Sequence, residues 1–437
     1  MRGEQYQSWG RFPRARHRVC RLWWRHEARE IGRLEGPLLA YGRGRSYGDV
    51  CLNDGGTVLD TRGLDRLACF DAGSGRLRCE AGVTLEELLR IFVPRGWFLP
   101  VVPGTKFVTL GGAIANDIHG KNHHRAGTFG CHVVQLELVR SSGERIVCTP
   151  ERNAELFRAT IGGLGLTGLI TWAEIQLKPI PSRAIAVETI RFANLDEFFE
   201  ISAQSDREFE YTVAWVDCAA RGSSLGRGLF MRGNHADAGQ RAPRQSRAIP
   251  IVFDFPQLVL NRWSMKLFNA LYYRKQWPER KSTVVDFDSF FFPLDRLLDW
   301  NRIYGRRGLL QYQCVVPHGH DGRAVLRQLL ETISAAGLFS FLAVLKVFGN
   351  LSSPGLMSFP RPGVTLALDF PAGPGVMALL ARLDRVVAAA GGAVYPAKDA
   401  RMAAADFQHF YPQWERLDAL RDPKFSSSFW RRVTAPI

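Results

Sequence analysis

The stretch Gly111-Gly-Ala-Ile-Ala-Asn-Asp-Ile-His-Gly-Lys-Asn-His-His124 decides how this chain reads. Its first half is small and uncharged, so the backbone there can lie close to a flat ligand or pack tightly on a helix. Its second half crowds Asp117, His119, Lys121, Asn122, His123 and His124 into eight positions. One histidine alone reads as a satisfied core or surface residue. Six polar, mostly titratable side chains directly behind a Gly-Gly turn point to a site. A metal bound by His119, His123 and His124 would need a carboxylate arrangement that the stretch does not supply, so no metal is expected.

Two more glycine clusters flank this one. In Ala40-Tyr-Gly-Arg-Gly-Arg-Ser-Tyr-Gly-Asp49, Gly42, Gly44 and Gly48 let the backbone approach an anion, and Arg45 and Ser46 add donors. Main-chain N–H groups in such a loop can cradle a diphosphate. The spacing is not GxGxxG and no helix pattern follows directly. Ile161-Gly-Gly-Leu-Gly-Leu-Thr-Gly-Leu-Ile170 supplies further small residues but no acidic ribose reader about 20 residues on, which argues against a nicotinamide Rossmann domain. Three clusters in one region imply a long ligand gripped at several points.

The chain has 437 residues, more than one ordinary domain, so two lobes are expected. Hydrophobic residues make up 46% and charged residues 23%, a globular balance that excludes disordered and collagen-like chains. Up to residue 181 short strands alternate with turns; Thr84 to Glu87 forms a capping box ahead of a helix through Phe92, and Val133–Arg140 and Arg145–Cys148 read as a hairpin. From 182 a second lobe begins, with strands at 211–217 and 311–316 around an irregular middle and a loop over 221–250. Strand, helix, strand, strand, helix and strand then follow to 394. That order predicts an α+β protein with an antiparallel layer covered by helices.

Lys and Arg total 57 against 42 for Asp and Glu, a net charge of +15, and nine of the cations are Lys. This attracts anionic partners without choosing among nucleic acid, phosphorylated substrates and lipid surfaces. No nucleic-acid motif appears, so none is expected as a partner. The eight cysteines show neither zinc spacing nor a disulfide framework. A basic N-terminus without an apolar run gives no signal peptide, and no stretch reaches the length of a membrane span. Phe255 to Trp277 mixes aromatics, aliphatics and cations, and reads either as a cover for the lobe's own core or as an interfacial helix.

Gly44 to Asp49, Pro103-Gly-Thr105, the 111–124 stretch and Gly165 to Ile170 resemble the FAD-binding signatures of the vanillyl-alcohol-oxidase-type flavoproteins. Outside that lobe the resemblance extends to Ala214 to Asp217, Pro293 to Asp295, Gln311 to Gln313, Leu345 to Gly349, Leu368 to Pro371 and Tyr395 to Arg401. It is nearest to the branch that oxidises a polyprenylphosphoryl ribose. The resemblance implies a two-lobed α+β flavoprotein: an FAD-binding domain over 1–181, a substrate cap with an antiparallel sheet over 182–394, and a closing segment over 395–437.

It also implies roles. FAD would be held by Ala40, Tyr41, Gly42, Arg43, Gly44, Arg45, Ser46, Tyr47, Gly48 and Asp49, by Gly104, Thr109, Leu110, Gly111 and Gly112, by Asn116, Asp117, Ile118 and His119, and by Ile170 and Tyr395. Tyr47 stands where related enzymes carry a flavin-bonding histidine, so the FAD is expected to be non-covalent. Tyr47, Lys121, Gln311, Gln313, Lys346, Phe348 and Asp369 would face the substrate, with His119 or Lys398 as the catalytic proton acceptor.

The implied reaction is oxidation of the C2 hydroxyl of a polyprenylphosphoryl pentose. An NAD(P)H-dependent ketoreductase would complete the epimerisation to the arabinose form used for cell-wall polysaccharide. A quinone-type electron acceptor and contact with the periphery of the inner membrane, on its cytoplasmic or periplasmic side, are compatible with such a substrate. Two departures stand out: Phe291 replaces a family tyrosine, and an inhibitor-reactive cysteine of some members falls at Ala367. Two other functions stay open: an alditol or aldonolactone oxidase acting on a soluble sugar, and a non-enzymatic polyanion-binding protein.

Overall fold

The computed structural model describes residues 6–240, 242–243, 248–318 and 320–436. Parallel strands β1 (Arg18–Arg21), β2 (Leu38–Tyr41) and β3 (Thr57–Asp60) form a small sheet in the order β1-β3-β2. Strands β4 (Leu67–Asp71), β5 (Arg76–Glu80), β6 (Val133–Val139), β7 (Arg145–Cys148) and β8 (Leu169–Gln176) form an antiparallel sheet, ordered β4-β5-β8-β6-β7. The expected hairpin is β6–β7, with Leu136 opposite Cys148.

Helix α1 (Leu85–Phe92) begins where the capping box places it. Thr84 Oγ1 accepts from Glu87 N at 3.2 Å, and Glu87 Oε2 accepts from Thr84 N at 2.8 Å. Its buried residues Leu85, Leu88, Leu89 and Phe92 recur at helical spacing against this sheet's core. The Gly-Gly stretch is a short helix, α2 (Leu110–Ala115), and not only a turn: Thr109 caps it by accepting from Gly112 N at 3.2 Å. Helix α3 (Ala154–Thr160) follows β7.

The larger sheet is antiparallel throughout. Its strands are β9 (Ala184–Phe192), β10 (Tyr211–Val216), β11 (Gly228–His235), β12 (Arg280–Asp286), β13 (Leu309–Pro317), β14 (Ala343–Phe348), β15 (Gly363–Pro371) and β16 (Ala393–Val394), in the order β12-β9-β11-β10-β14-β15-β13-β16. Helices α4 (Leu195–Ser205), α6 (His320–Ala336) and α7 (Pro374–Ala389) share one apolar core with it through Phe198, Leu326, Leu329, Leu379 and Leu383. Between α4 and α6 the chain forms α5 (Arg262–Arg274).

The middle segment is thus more regular than its sequence suggests. Residues 228–235, expected to be loop, are strand β11, and 241 and 244–247 of that expected loop lie outside the described residues. Gly228 belongs in the strand because a Cβ there would sit 2.0 Å from the Trp215 carbonyl oxygen. Helices α8 (Ala404–Phe410), α9 (Trp414–Leu420) and α10 (Ser428–Val433) add Phe407, Phe410, Leu417, Phe429 and Trp430 to the core of the larger sheet, and the turn between α9 and α10 reaches the first sheet through Phe425. Leu38 N donates to Lys424 O at 2.7 Å, and the Arg432 guanidinium lies 2.7 Å from Asp49 and 3.0 Å from Asp399. Among the described residues no helix is long and apolar enough to cross a membrane.

Candidate active site

Strand alternation builds one wall of the site. Val213 and Trp215, Gln311 and Gln313, Val344 and Lys346, and Thr283 and Val285 are i, i+2 pairs that line a cavity of about 640 Å³. The intervening Tyr312 and Leu345, and Cys314 after Gln313, belong to the helix-covered core. The opposite wall comes from the glycine clusters: Ala40, Gly42 to Tyr47, Gly104, Thr109, Gly111, Gly112, Asn116, Ile118, His119, Ile170 and Tyr395 all line the same cavity. Lys121 and Lys398 complete its floor.

The remaining expected residues lie behind this surface. Tyr41 donates its hydroxyl to Gln7 O at 2.6 Å. Gly48 packs on the closing segment, where a Cβ would be 1.7 Å from Asp399 O. Asp49 pairs with Arg432, and Leu110 is core. Asp117, fully buried at φ +40°, accepts from Gly130 N at 2.8 Å and from the Ser353 and Ser358 hydroxyls, which ties the turn from beneath. Phe348 packs its ring edge on His119 and tilts on His123, with centroids 4.9 Å and 4.5 Å away. Asp369 accepts from Gln311 Nε2.

Trp9, Trp215, Tyr272, Lys275, Phe290, Asp295, Trp300 and Leu164 with Gly165 also line the cavity, and sequence reasoning did not assign them to the site. For Trp215 the signal was present, since it shares a strand face with Val213. Gly165 belongs to a cluster already singled out.

The residues present fit a dinucleotide with a flat ring. A Cβ at Gly104 would meet nothing within 4 Å, so bare backbone borders the cavity there. Arg45 Nε, Asn116 Oδ1, His119 Nδ1 and Gln311 Oε1 are buried on its lining without a hydrogen-bond partner. Buried polar atoms are rarely left unpaired, so these four call for a polar ligand. Arg45 stacks over Trp9 at 4.1 Å, and Tyr395 donates to Asn116 O at 2.8 Å.

The cavity is cationic but weakly solvated. Burial lowers the Lys346 amine to about 8, and burial with the nearby Lys346 charge lowers Lys121 to about 7. Lys398 is lowered by burial against the opposing pull of Asp369, whose own carboxyl is raised by burial. The Lys398 ammonium sits 3.9 Å over the Tyr47 ring. His119 lies well below its ordinary value, first through burial and then through Lys346. Its Nε2 pairs with Gln313 Nε2 at 2.9 Å.

Residues 27–149 match a family described as an FAD binding domain. Decaprenylphosphoryl-beta-D-ribose oxidase from Mycolicibacterium smegmatis is 38% identical over 413 residues, which cover 91% of this chain and 89% of that protein. An uncharacterized protein from Streptomyces coelicolor is 36% identical over 374 residues, 80% of this chain and 100% of its own length. Cytokinin dehydrogenase 9 of Oryza sativa is 35% identical over 149 residues, 33% of this chain and 27% of that protein. The last likeness is short; the first covers nearly the whole of both proteins. The chain therefore belongs to the decaprenylphosphoryl-beta-D-ribose oxidase family and is an FAD-dependent oxidoreductase.

Proposed function

We propose that this enzyme oxidises the C2 hydroxyl of a polyprenylphosphoryl ribose to the 2-keto sugar. The product would pass to a separate NAD(P)H-dependent ketoreductase, whose re-reduction inverts the centre. A quinone would serve as the final electron acceptor. The observation that carries the reading is one cavity that joins a wall of bare glycine backbone to the amines of Lys121, Lys346 and Lys398. Such amines suit a sugar phosphate, which they bind as donors.

FAD, when bound, supplies the two-electron acceptor for the hydride from C2. It would rest on Gly42 to Tyr47, Gly104, Thr109, Gly111, Gly112, Asn116 and Tyr395. With Tyr47 in place of a bonding histidine it would be held without a covalent link. Gln313 Nε2, donating to His119 Nε2, leaves the ring proton on Nδ1, so His119 acts as a donor to the substrate. Lys398 then takes the hydroxyl proton; burial keeps part of it as the neutral amine near neutral pH. Gln311 and Gln313 orient sugar hydroxyls, and the ring of Phe348 fixes His119.

We also read the chain as an FAD lobe over 1–181, a cap over 182–394 and a closing segment over 395–437. Support comes from the sheets: β1 to β8 fall before 177, β9 to β16 fall within 184–394, and Lys424 and Ser426 pair with Leu38.

The test is the visible spectrum of the FAD-loaded protein under anaerobic conditions. Addition of a prenylphosphoryl ribose should bleach the flavin band while soluble alditols leave it unchanged. Bleaching by an alditol, with none by the lipid-linked sugar, would overturn the substrate.

A further inference from the structure

Residues 255–278 contain no acidic side chain but four cations, Arg262, Lys266, Arg274 and Lys275. Most of this segment is helix α5, started by Asn261, whose side chain accepts from Trp263 N and Ser264 N. The helix buries Met265 and Asn269, four residues apart, so only a narrow stripe of it is fully enclosed by the protein. On its outer side Trp263, Leu267 and Leu271, also at four-residue spacing, are 69%, 61% and 60% exposed. Leu258 before the helix and Trp277 after it are each 85% exposed. Single exposed apolar residues are ordinary, but a continuous row on one helix marks an interaction surface.

Charge identifies the partner. Among the described residues none of the four cations has a salt bridge, and no carboxylate of this segment could offset them. A second copy docking by two-fold symmetry would set this cationic face against itself. An anionic lipid surface satisfies both halves: the tryptophans and leucines enter the headgroup boundary while Lys and Arg reach back to the phosphates. The same helix borders the site, since Tyr272 and Lys275, which caps its C-terminus, line the cavity.

We propose that the outer face of α5, with Leu258 and Trp277, docks the protein on an anionic bilayer and holds the mouth of the cavity at headgroup level. A lipid-linked sugar then enters while its chain stays in the membrane. That last step rests on the substrate reading above; the docking does not.

Flotation of the FAD-loaded protein with vesicles tests this directly. Vesicles of phosphatidylcholine with about one third phosphatidylglycerol should bind it, pure phosphatidylcholine should bind it weakly, and added salt should release it. The pair R262Q/K266Q should lower the partition coefficient about 25-fold, near fivefold per cation. The pair W263S/L267S should lower it roughly 100-fold, near tenfold per side chain. Both pairs are on the surface, so unchanged flavin absorbance and melting show that they fold.

Binding indifferent to lipid charge, or unaltered by both pairs, overturns the proposal. So does a dimer in sedimentation velocity that W263S/L267S dissociates. Flotation without bleaching by a prenylphosphoryl ribose would remove the substrate alone. Bleaching by a short-chain prenylphosphoryl ribose without flotation would remove the docking alone.

Discussion

Alanine at Gly104 separates the packing of the protein from the packing of its cofactor. A Cβ there meets no atom within 4 Å, and the residue is not among the glycines with positive φ. The apoprotein therefore tolerates the methyl group, and its stability should stay level or rise by up to about 1 kcal/mol because alanine narrows the unfolded ensemble. FAD lying on that turn would have to withdraw from the new methyl group. Losing roughly 1.4 kcal/mol of contact lowers its affinity about tenfold. Gly42 provides the contrast: its Cβ would fall 2.4 Å from Thr109 Oγ1, the atom that caps Gly112 N at 3.2 Å. Moving Thr109 forfeits that cap, a loss of about 1 kcal/mol. Gly42→Ala should thus weaken both the apoprotein and FAD binding, whereas Gly104→Ala weakens FAD binding alone. Titration of apoprotein by quenching of flavin fluorescence, paired with melting curves without FAD, reads both quantities. Wild-type FAD affinity in Gly104→Ala, or a fall in its apoprotein melting temperature equal to that of Gly42→Ala, would refute the cradle.

Lys398→Met should keep its yellow colour yet slow anaerobic bleaching by about 10²-fold or more, the usual contribution of a positioned base; bleaching at wild-type rate in a stopped-flow trace would acquit the residue. Because Lys121 and Lys346 sit near 7 and 8, both lose charge as pH rises toward 9, so KM for the phosphorylated substrate should climb from about pH 7 upward. A flat KM between pH 6 and 9 would contradict this. The same lowered values work in the opposite direction on folding: the unfolded chain binds more protons between pH 7 and 10, so these amines make the unliganded fold more stable as pH rises across that window, measurable by urea titration. Arg432→Ala leaves Asp49 and Asp399 buried without their shared partner and should cost about 3 kcal/mol, read from the urea midpoint. With Ala367 on the cavity wall, activated nitroaromatics should leave no covalent adduct on the intact mass.

Local chemistry was legible in the sequence. The Thr84 capping box and the β6–β7 hairpin each follow from neighbours a few residues apart. The glycine clusters pointed to a long ligand because bare backbone is useful only where something approaches it. Less legible was whatever depends on distant partners. Gly228 and Gly233 made β11 look like loop, and their reason lies across the sheet, in the Trp215 carbonyl and the Ala186 carbonyl. The Gln313–His119 contact spans 194 positions and fixes a tautomer that no local pattern can set. Asp117 and Asp49 stand within ligand-facing motifs, yet their carboxylates turn inward to hold backbone and Arg432, a choice made by φ and by the returning C-terminal helix. For 255–277 the sequence allowed a buried cover or an interfacial helix, and the exposure of Trp263, Leu267 and Leu271 favours the second.

Deuterium at C2 of a prenylphosphoryl ribose gives the most direct measurement of the chemistry. In a single anaerobic turnover, transfer of that hydrogen to FAD predicts bleaching slowed by a primary isotope effect, with the 2-keto sugar as product. Bleaching at equal rates with hydrogen and deuterium at C2, and product oxidised at another carbon, would contradict the assignment of the reaction.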